Sequence, residues 1–374
     1  MVAAADAGVA AVVVETEMAD HSFQIQWHIT DQCNLRCRHC YSEGFDTAEL
    51  PLEKLRELLN GFVEFIESWR HGKHFPSKFV PAKLTITGGE PFLRADFFEL
   101  LQEVATLKSL FRFAILTNGI LIDRVCAKRL AKLKPHYVQV SIDGLKEAHE
   151  AIRGPGSYNP ALEGIKHLVQ AGIPTSISFT AQRRNLGEFT NVAKLGIQLG
   201  VIRVWADRMI PCLNHSGNSL SVRHSDLLSP LETRSFFHEM ESARNLQPRN
   251  ALKKLTSALF GGKEAVVSMN RALQFLTGGG PIYHCCAART LVAVLADGSL
   301  VPCRRMPIPV GNLFETSLLQ LYRESGIFQQ LRETSTNNER CRKCVYLKGC
   351  GGGLRCLAYA LTGGPLFGDP DCWV

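Results

Sequence analysis

Between residues 24 and 206 a β-rich apolar run and an amphipathic helical stretch alternate six times, and this rhythm leaves the chain few possible folds. The strands read as "QIQWHIT", "KLTITGG", "FRFAILTNG", "YVQVSIDG", "PTSISFTA" and "VIRVWAD". Helical stretches such as "LEKLRELLNGFVEFIESW", "ADFFELLQEVATL", "DRVCAKRLAKL", "PALEGIKHLVQAG" and "EFTNVAKLGIQLG" lie between them. In the second of these Phe97, Leu101, Val104 and Leu107 recur at intervals of four and three, which marks one helix face. Gly172 and Gly200 fall just past the apolar pattern, where helices stop. Strict alternation of this kind predicts an α/β fold with a parallel sheet covered by helices. Six units are too few for a complete eight-stranded barrel, so a partial barrel or an open wound sheet is expected.

The rest of the chain divides by composition. Residues 1–21 read as an N-terminal arm: they are apolar but lack a Lys/Arg n-region and are broken by Asp6 and Glu15, which makes a poor signal peptide. Residues 22–211 carry the βα series. Residues 212–283 form a bridging region, turn-rich at first, with helical segments expected near 230–245 and 250–276. Residues 284–374 are rich in glycine and cysteine, with "ADGSLVPC" reading as a hairpin turn and "GNLFETSLLQLYRES" as a short helix opened by Asn312. So little apolar periodicity in that last region suggests a fold that depends on metal.

With 45% hydrophobic and 21% charged residues and no run of about 18 apolar residues, the chain reads as a soluble, cytoplasmic protein without a membrane span. The net charge of +7 is mild, and the basic residues lack the aromatic interleaving of a nucleic-acid surface. The basic stretch at 69–83 reads as a solvated loop that could flank an acidic peptide.

Thirteen cysteines in such a chain point to metal ligands more than to disulfides. Cys33, Cys37 and Cys40 stand together in "CNLRCRHCY", eight more fall in the last ninety residues, and Cys126 and Cys212 stand alone. Closed iron–sulfur clusters take four thiolates, so three leave one iron open for a chelating molecule. A zinc site completed by His28 or His39 is the other reading of those three thiols. Loops at the predicted strand ends favour the cluster, because that is where βα folds bind ligands. "TGGEP" follows the second strand, with glycines that permit close backbone approach to a ligand; "TNG" follows the third; "SIDG", with Arg153 beyond it, follows the fourth. Cys126, on a helix face, reads as a buried small hydrophobe; Cys212 ends the sixth strand near the mouth and reads as structural more than as a proton or hydrogen donor.

"CNLRCRHCY" with "TGGEP", "SIDG" and Arg153 resembles the radical S-adenosylmethionine superfamily over residues 24 to about 211. The resemblance implies a partial (βα)6 barrel in which Cys33, Cys37 and Cys40 hold a 4Fe–4S cluster. S-adenosylmethionine then chelates the open iron and is cleaved reductively to a 5′-deoxyadenosyl radical that abstracts a substrate hydrogen. It also implies cofactor contacts: Tyr41 near the adenine; Gly88, Gly89, Glu90 and Pro91 at the methionine ammonium; Asn118 beside them; Ser141 and Asp143 at the ribose or carboxylate; Arg153 at the methionine carboxylate; and the main chain of Trp205 and Ala206 at the adenine.

The spacing of Cys286, Gly298 and Cys303, followed by Cys341-x2-Cys344-x5-Cys350 and Cys372, is similar to a SPASM domain, which carries auxiliary iron–sulfur clusters. By that resemblance Cys341, Cys344, Cys350 and Cys372 hold an outer cluster, and one or two auxiliary 4Fe–4S clusters are expected in all. The inner cluster departs from the pattern: Leu354 stands where a cysteine is usual, so either Cys356 takes over or an iron is left open, with Cys285 a further ligand candidate.

Enzymes with this pair of domains most often act on peptides or proteins, forming thioether or carbon–carbon crosslinks. The expected partners are a peptide or protein substrate, a separate leader-binding protein, since only about twenty residues precede the first strand, and a flavodoxin- or ferredoxin-type reductase. Tetrapyrrole side-chain chemistry, such as haem-precursor decarboxylation, is the alternative. Sulfatase maturation ranks lower, because "RRM", Arg304 to Met306, follows Cys303 where an aspartate base would be expected. A cluster-bearing scaffold or electron carrier would have no need for the "GGEP" and "SIDG" loops.

Overall fold

The computed structural model describes residues 22–42, 44–45, 47–71, 80–211, 224–246, 266–268, 271–278, 280–333 and 336–374. All six expected strands are present: β1 (Phe23–His28), β2 (Ala82–Thr87), β3 (Phe111–Thr117), β4 (Tyr137–Ser141), β5 (Thr175–Ala181) and β6 (Arg203–Arg208). Each pairs in parallel with the next in sequence. Because the order never reverses, the sheet winds in one direction as a barrel does; a doubly wound sheet would switch direction partway. The connecting helices are α1 (Leu52–His71), α2 (Phe97–Thr106), α3 (Arg124–Leu133), α4 (Lys146–Arg153), α5 (Tyr158–Gln170) and α6 (Phe189–Leu199). The fourth connection therefore holds two helices where one was expected, and Arg153 ends the unforeseen one. Gly200 caps α6 in the left-handed conformation, as its position suggested.

The sheet does not stop at the barrel. β7 (Val266–Val267) adds to β6, and on the other side β8 (Leu291–Val294) pairs in parallel with β1 and turns through a hairpin to β9 (Ser299–Val301) and β10 (Gly311–Asn312). One ten-stranded sheet thus runs through the barrel and the cysteine-rich segment. Packing joins the two as well. Tyr322, on α8 (Leu318–Glu324), meets Phe23 and Phe65 edge-on at 5.5 and 5.3 Å, and its hydroxyl donates to the Arg289 carbonyl at 2.6 Å. Such ring pairs contribute roughly 0.5–1.5 kcal/mol each beyond the area they bury.

α7 (Pro230–Arg244) fills the expected helix near 230–245, opened by a Ser229–Glu232 capping box. The helix expected near 250–276, the N-terminal arm, Cys212 and most of the basic 69–83 stretch lie wholly or largely outside the described residues. Asn312 does not open α8: its side chain accepts the Phe314 N–H in a local turn, and Ser317 caps the helix. Two short helices, α9 (Gly326–Glu333) and α10 (Arg355–Thr362), complete the C-terminal region, with isolated turns at Glu339–Arg342 and Leu347–Cys350. Among the described residues no helix is long and apolar enough to cross a membrane.

Candidate functional site

The three-cysteine loop leaves β1 and crosses the C-terminal mouth of the sheet, where the "TGGEP" loop holds it by its main chain. Gly89 N donates to Thr30 O at 2.8 Å and Glu90 N to Gln32 O at 2.7 Å. A Cβ at Gly88 would lie 2.3 Å from Thr30 O, and one at Gly89 2.1 Å from Gln32 O. The close approach that these glycines permit is therefore to the cysteine loop itself, whereas the sequence suggested approach to a ligand.

Glu90 is fully buried and turned inward. It accepts from the Thr117 hydroxyl at 2.9 and 3.0 Å, from Asn118 N at 2.8 Å and from Phe92 N at 3.2 Å. Burial pushes its pKa up to about 7. Both Glu90 oxygens are engaged in bracing "TGGEP" against "TNG". Asn118 extends the brace by donating to Asn34 Oδ1 at 2.7 Å within the cysteine loop, and Pro91 opens the turn that follows.

A second brace runs from β4. Burial alone would raise the pKa of Asp143, but Arg153 and His39 hold it well below the usual carboxylate range. Asp143 takes Arg153 Nε at 2.6 Å, Thr180 N at 2.7 Å and His39 Nε2 at 3.2 Å. Its carboxylate is thus occupied by donors of the protein itself. Arg153 spends its Nε on Asp143, and its Nη1 points at Cys37 Sγ, 3.8 Å away. Ser141 Oγ lies 3.3 Å from Ser178 Oγ. His39, passed over as anything but a zinc ligand, is the link between the cysteine loop and this pair.

On the far side the cysteine loop meets the C-terminal region. Arg304 lies over the Tyr41 ring at 4.7 Å and donates to Tyr41 O at 2.9 Å and Ser42 Oγ at 3.2 Å. Arg305 pairs with Asp207 of β6 at 2.6 Å. Trp205 Nε1 donates to Gln139 Oε1, and the Ala206 carbonyl takes Arg271 Nε at 2.8 Å. Ala206 is buried with that carbonyl occupied. A cavity opens at this junction, walled by Tyr41, Ile210, Arg304, Arg305, Pro307 and Tyr359. The sequence displayed the adjacent arginines after Cys303, but only the fold shows which surface they face.

None of the thiols described is in a disulfide. Backbone N–H groups of Leu35 and Ser42 donate to the sulfurs of Cys33 and Cys40 at 3.4 Å, and Arg153 faces Cys37. Donors aimed at three sulfurs on one loop suit a thiolate-bound cluster. Burial pushes the Cys37 thiol up to about 11, so metal binding there must displace a proton.

The other thiols form two groups. Cys341, Cys344, Cys350 and Cys372 line one pocket with Phe275 and Tyr346. Cys285, Cys286, Cys303 and Cys356 form the second. Burial pushes Cys356 well up, opposed by Arg305 and reinforced by nearby Cys303 and Cys285; burial with Cys285 and Cys303 pushes Cys286 up to about 12. Leu354 is buried just before α10, and Cys356 occupies the first turn of that helix. Cys126 packs partly buried against the core, as expected. Among the described residues no three His, Cys, Asp or Glu side chains converge tightly enough for one metal ion.

Comparison with known proteins places these features in families. A family model described as the radical SAM superfamily matches residues 27–195, and one described as an iron–sulfur cluster-binding domain, SPASM, matches residues 285–345. The chain is 29% identical over 362 residues to an AdoMet-dependent heme synthase of Methanosarcina barkeri, covering 93% of this chain and 95% of that protein. It is 27% identical over 360 residues to the mycofactocin maturase MftC of Mycobacterium tuberculosis, covering 93% and 82%. Among solved structures, native anSMEcpe with bound AdoMet superposes with a TM-score of 0.69 at 18% identity, covering 93% of each chain, which bears on the fold.

Proposed function

The chain is a radical S-adenosylmethionine enzyme with a C-terminal SPASM domain, and on that premise we propose that it abstracts a hydrogen atom from a side chain or α-carbon of a peptide or protein residue. Its cofactors are a 4Fe–4S cluster, S-adenosylmethionine and auxiliary iron–sulfur clusters. In this reading Cys33, Cys37 and Cys40 hold the catalytic cluster, Cys341, Cys344, Cys350 and Cys372 the outer one, and Cys356 joins Cys285, Cys286 and Cys303 at the inner one. When bound, the cluster and S-adenosylmethionine supply an electron and a primary carbon radical. The protein's own part is to hold the reacting group close and keep water out.

The braces divide the labour of binding. Glu90, Asp143 and Asn118 fix the loops, leaving the main-chain carbonyls of Gly88 and Gly89, the Ser141 side chain and the Tyr41 ring to meet S-adenosylmethionine. Arg153 serves the cluster loop as its cation.

The observation that supports the substrate reading is the likeness, over 93% of this chain, to a protein named as the mycofactocin maturase MftC. The same reading calls for cytoplasmic residence, a flavodoxin- or ferredoxin-type reductase and a separate leader-binding protein. A second reading, tetrapyrrole side-chain chemistry, is favoured by the near full-length match to the heme synthase.

The test starts with anaerobically reconstituted protein, reduced with S-adenosylmethionine and offered short peptides encoded beside its gene or iron coproporphyrin III. A peptide that loses hydrogen as 5′-deoxyadenosine accumulates supports the first reading. A porphyrin that loses carbon dioxide, with no peptide product, overturns it. Replacing Cys33, Cys37 and Cys40 with Ala should abolish deoxyadenosine while auxiliary iron stays.

A further inference from the structure

We infer that the cavity between the barrel mouth and the SPASM domain is a carboxylate subsite, with Arg304 as the counter-ion for an acidic group of the substrate. The inference deepens the substrate reading above and rests on it. The argument begins with the arginines around the cavity and what neutralises each. Arg305 has Asp207 at 2.6 Å. Arg208, behind it, has Asp369 and Asp371, each at 2.7 Å. Arg271 lies close enough to Asp207 to feel its charge, and Arg153, nearer the cluster, has Asp143.

Arg304 is the exception. Its Nη2 bonds only neutral oxygens, those of Tyr41 and Ser42, and its buried Nε has no hydrogen-bond partner. Among the described residues it has no carboxylate partner. Residues 212–223, which follow Pro211 on the cavity wall, contain no Asp or Glu. His28, buried beside Arg304, is held in its neutral form and offers no charge.

A guanidinium fixed in place by two bonds through Nη2, stacked on a tyrosine ring and walled by Pro307 and Tyr359, is a preorganised cation that offers Nη1 to an anion. Fixing the cation in advance lowers the ordering cost at binding. Its position also explains how an occupant would be sensed. The bonds that orient Arg304 end on Tyr41 and Ser42, and Ser42 N donates to Cys40 Sγ at 3.4 Å. A carboxylate on Arg304 therefore sits one hydrogen-bonded step from the catalytic cluster loop.

The probes are N-acetylglutamate N-methylamide and its neutral glutamine counterpart, and coproporphyrin III with its tetramethyl ester. Each is titrated into the reduced, reconstituted holoenzyme with S-adenosylmethionine, and the electron paramagnetic resonance spectrum of the catalytic cluster is read. The acid should perturb the spectrum at a concentration about tenfold or more below its neutral partner, the ratio expected for a hydrogen bond to a charged group. Arg304→Gln should abolish the preference and Arg304→Lys should keep part of it, with iron content confirming that the loop still loads. A response to the porphyrin acid alone keeps the carboxylate subsite but overturns the peptide reading. Equal responses to acid and neutral forms in the wild-type protein overturn the subsite whichever substrate reading stands, as does an undiminished preference in iron-replete Arg304→Gln.

Discussion

The cysteine loop after β1 and the thiols between Cys285 and Cys372 are held by opposite means. Neighbouring loops clamp the first through their main chains, with Gly88 and Gly89 against Thr30 and Gln32, and through the buried braces Glu90 and Asp143. The second set rides on isolated helical turns and loop ends, and the outer thiols have one strong tie to the barrel. That tie is Arg208 at the end of β6, bonded to Asp369 and Asp371 around the turn that carries Cys372. Asp369 also accepts Leu354 N, fixing the start of the helix that bears Cys356. The difference teaches where order comes from. Contacts with neighbouring barrel loops set the positions of the three thiols after β1, whereas an ion network ties the C-terminal region to the barrel.

The hardest test of that contrast is Gly89→Ala. The new Cβ would meet Gln32 O at 2.1 Å and Asp31 O at 2.6 Å, both backbone atoms that cannot swing away. A loss of at least about 3 kcal/mol is expected, at the upper end for overpacking, with catalytic iron lost and auxiliary iron retained. If both iron pools fall together in iron counts and cluster spectra, the two regions are not independently held. Arg208→Met runs the test in reverse. It strands Asp369 and Asp371 in the interior at a cost of roughly 3–5 kcal/mol. Auxiliary iron should fall while reduced protein still cleaves S-adenosylmethionine at the catalytic cluster. Cys356→Ala is milder: on the proposed assignment of Cys356 to the inner cluster it should lower the count by about four irons per chain, whereas Cys126→Ala should leave it unchanged.

What the sequence made legible follows the same divide. Six strands and the sites of "TGGEP", "TNG" and "SIDG" were readable because apolar period and turn residues are local signals. Roles inside the site were less so. A sequence shows that Glu90, Asp143 and Arg153 stand at strand or helix ends, but which oxygen meets which donor depends on Thr117, Thr180 and His39, brought in from elsewhere. Arg304 and Arg305 were visible as residues and silent as to function, because their partners Tyr41 and Asp207 lie about 263 and 98 positions away. The shared sheet was hidden as well: nothing local in "LVAV" tells a hairpin strand from one that also pairs with β1.

Glu90 gives the gentlest discrimination between the two regions, through pH. Its folded-state pKa of about 7 lies above the ordinary glutamate value, so between pH ~4.5 and ~7 the folded chain holds a proton that the unfolded chain has released. Stability then falls as pH rises through that window, by up to about 3 kcal/mol, and the favourable side of the change is the acid one. The strain should appear where the carboxyl braces "TGGEP" and "TNG", which are also the loops that grip the three cysteines. Iron retention at the catalytic site, measured against a chelator, should therefore weaken from pH 5 to pH 8 more steeply than retention at the auxiliary sites. Glu90→Gln removes the ionisation while keeping the shape, and should flatten the catalytic slope alone. A weakening that survives in Glu90→Gln would rule out Glu90 as its source, and the thiols could not supply it, because their burial-raised pKa values predict tighter metal binding as pH rises.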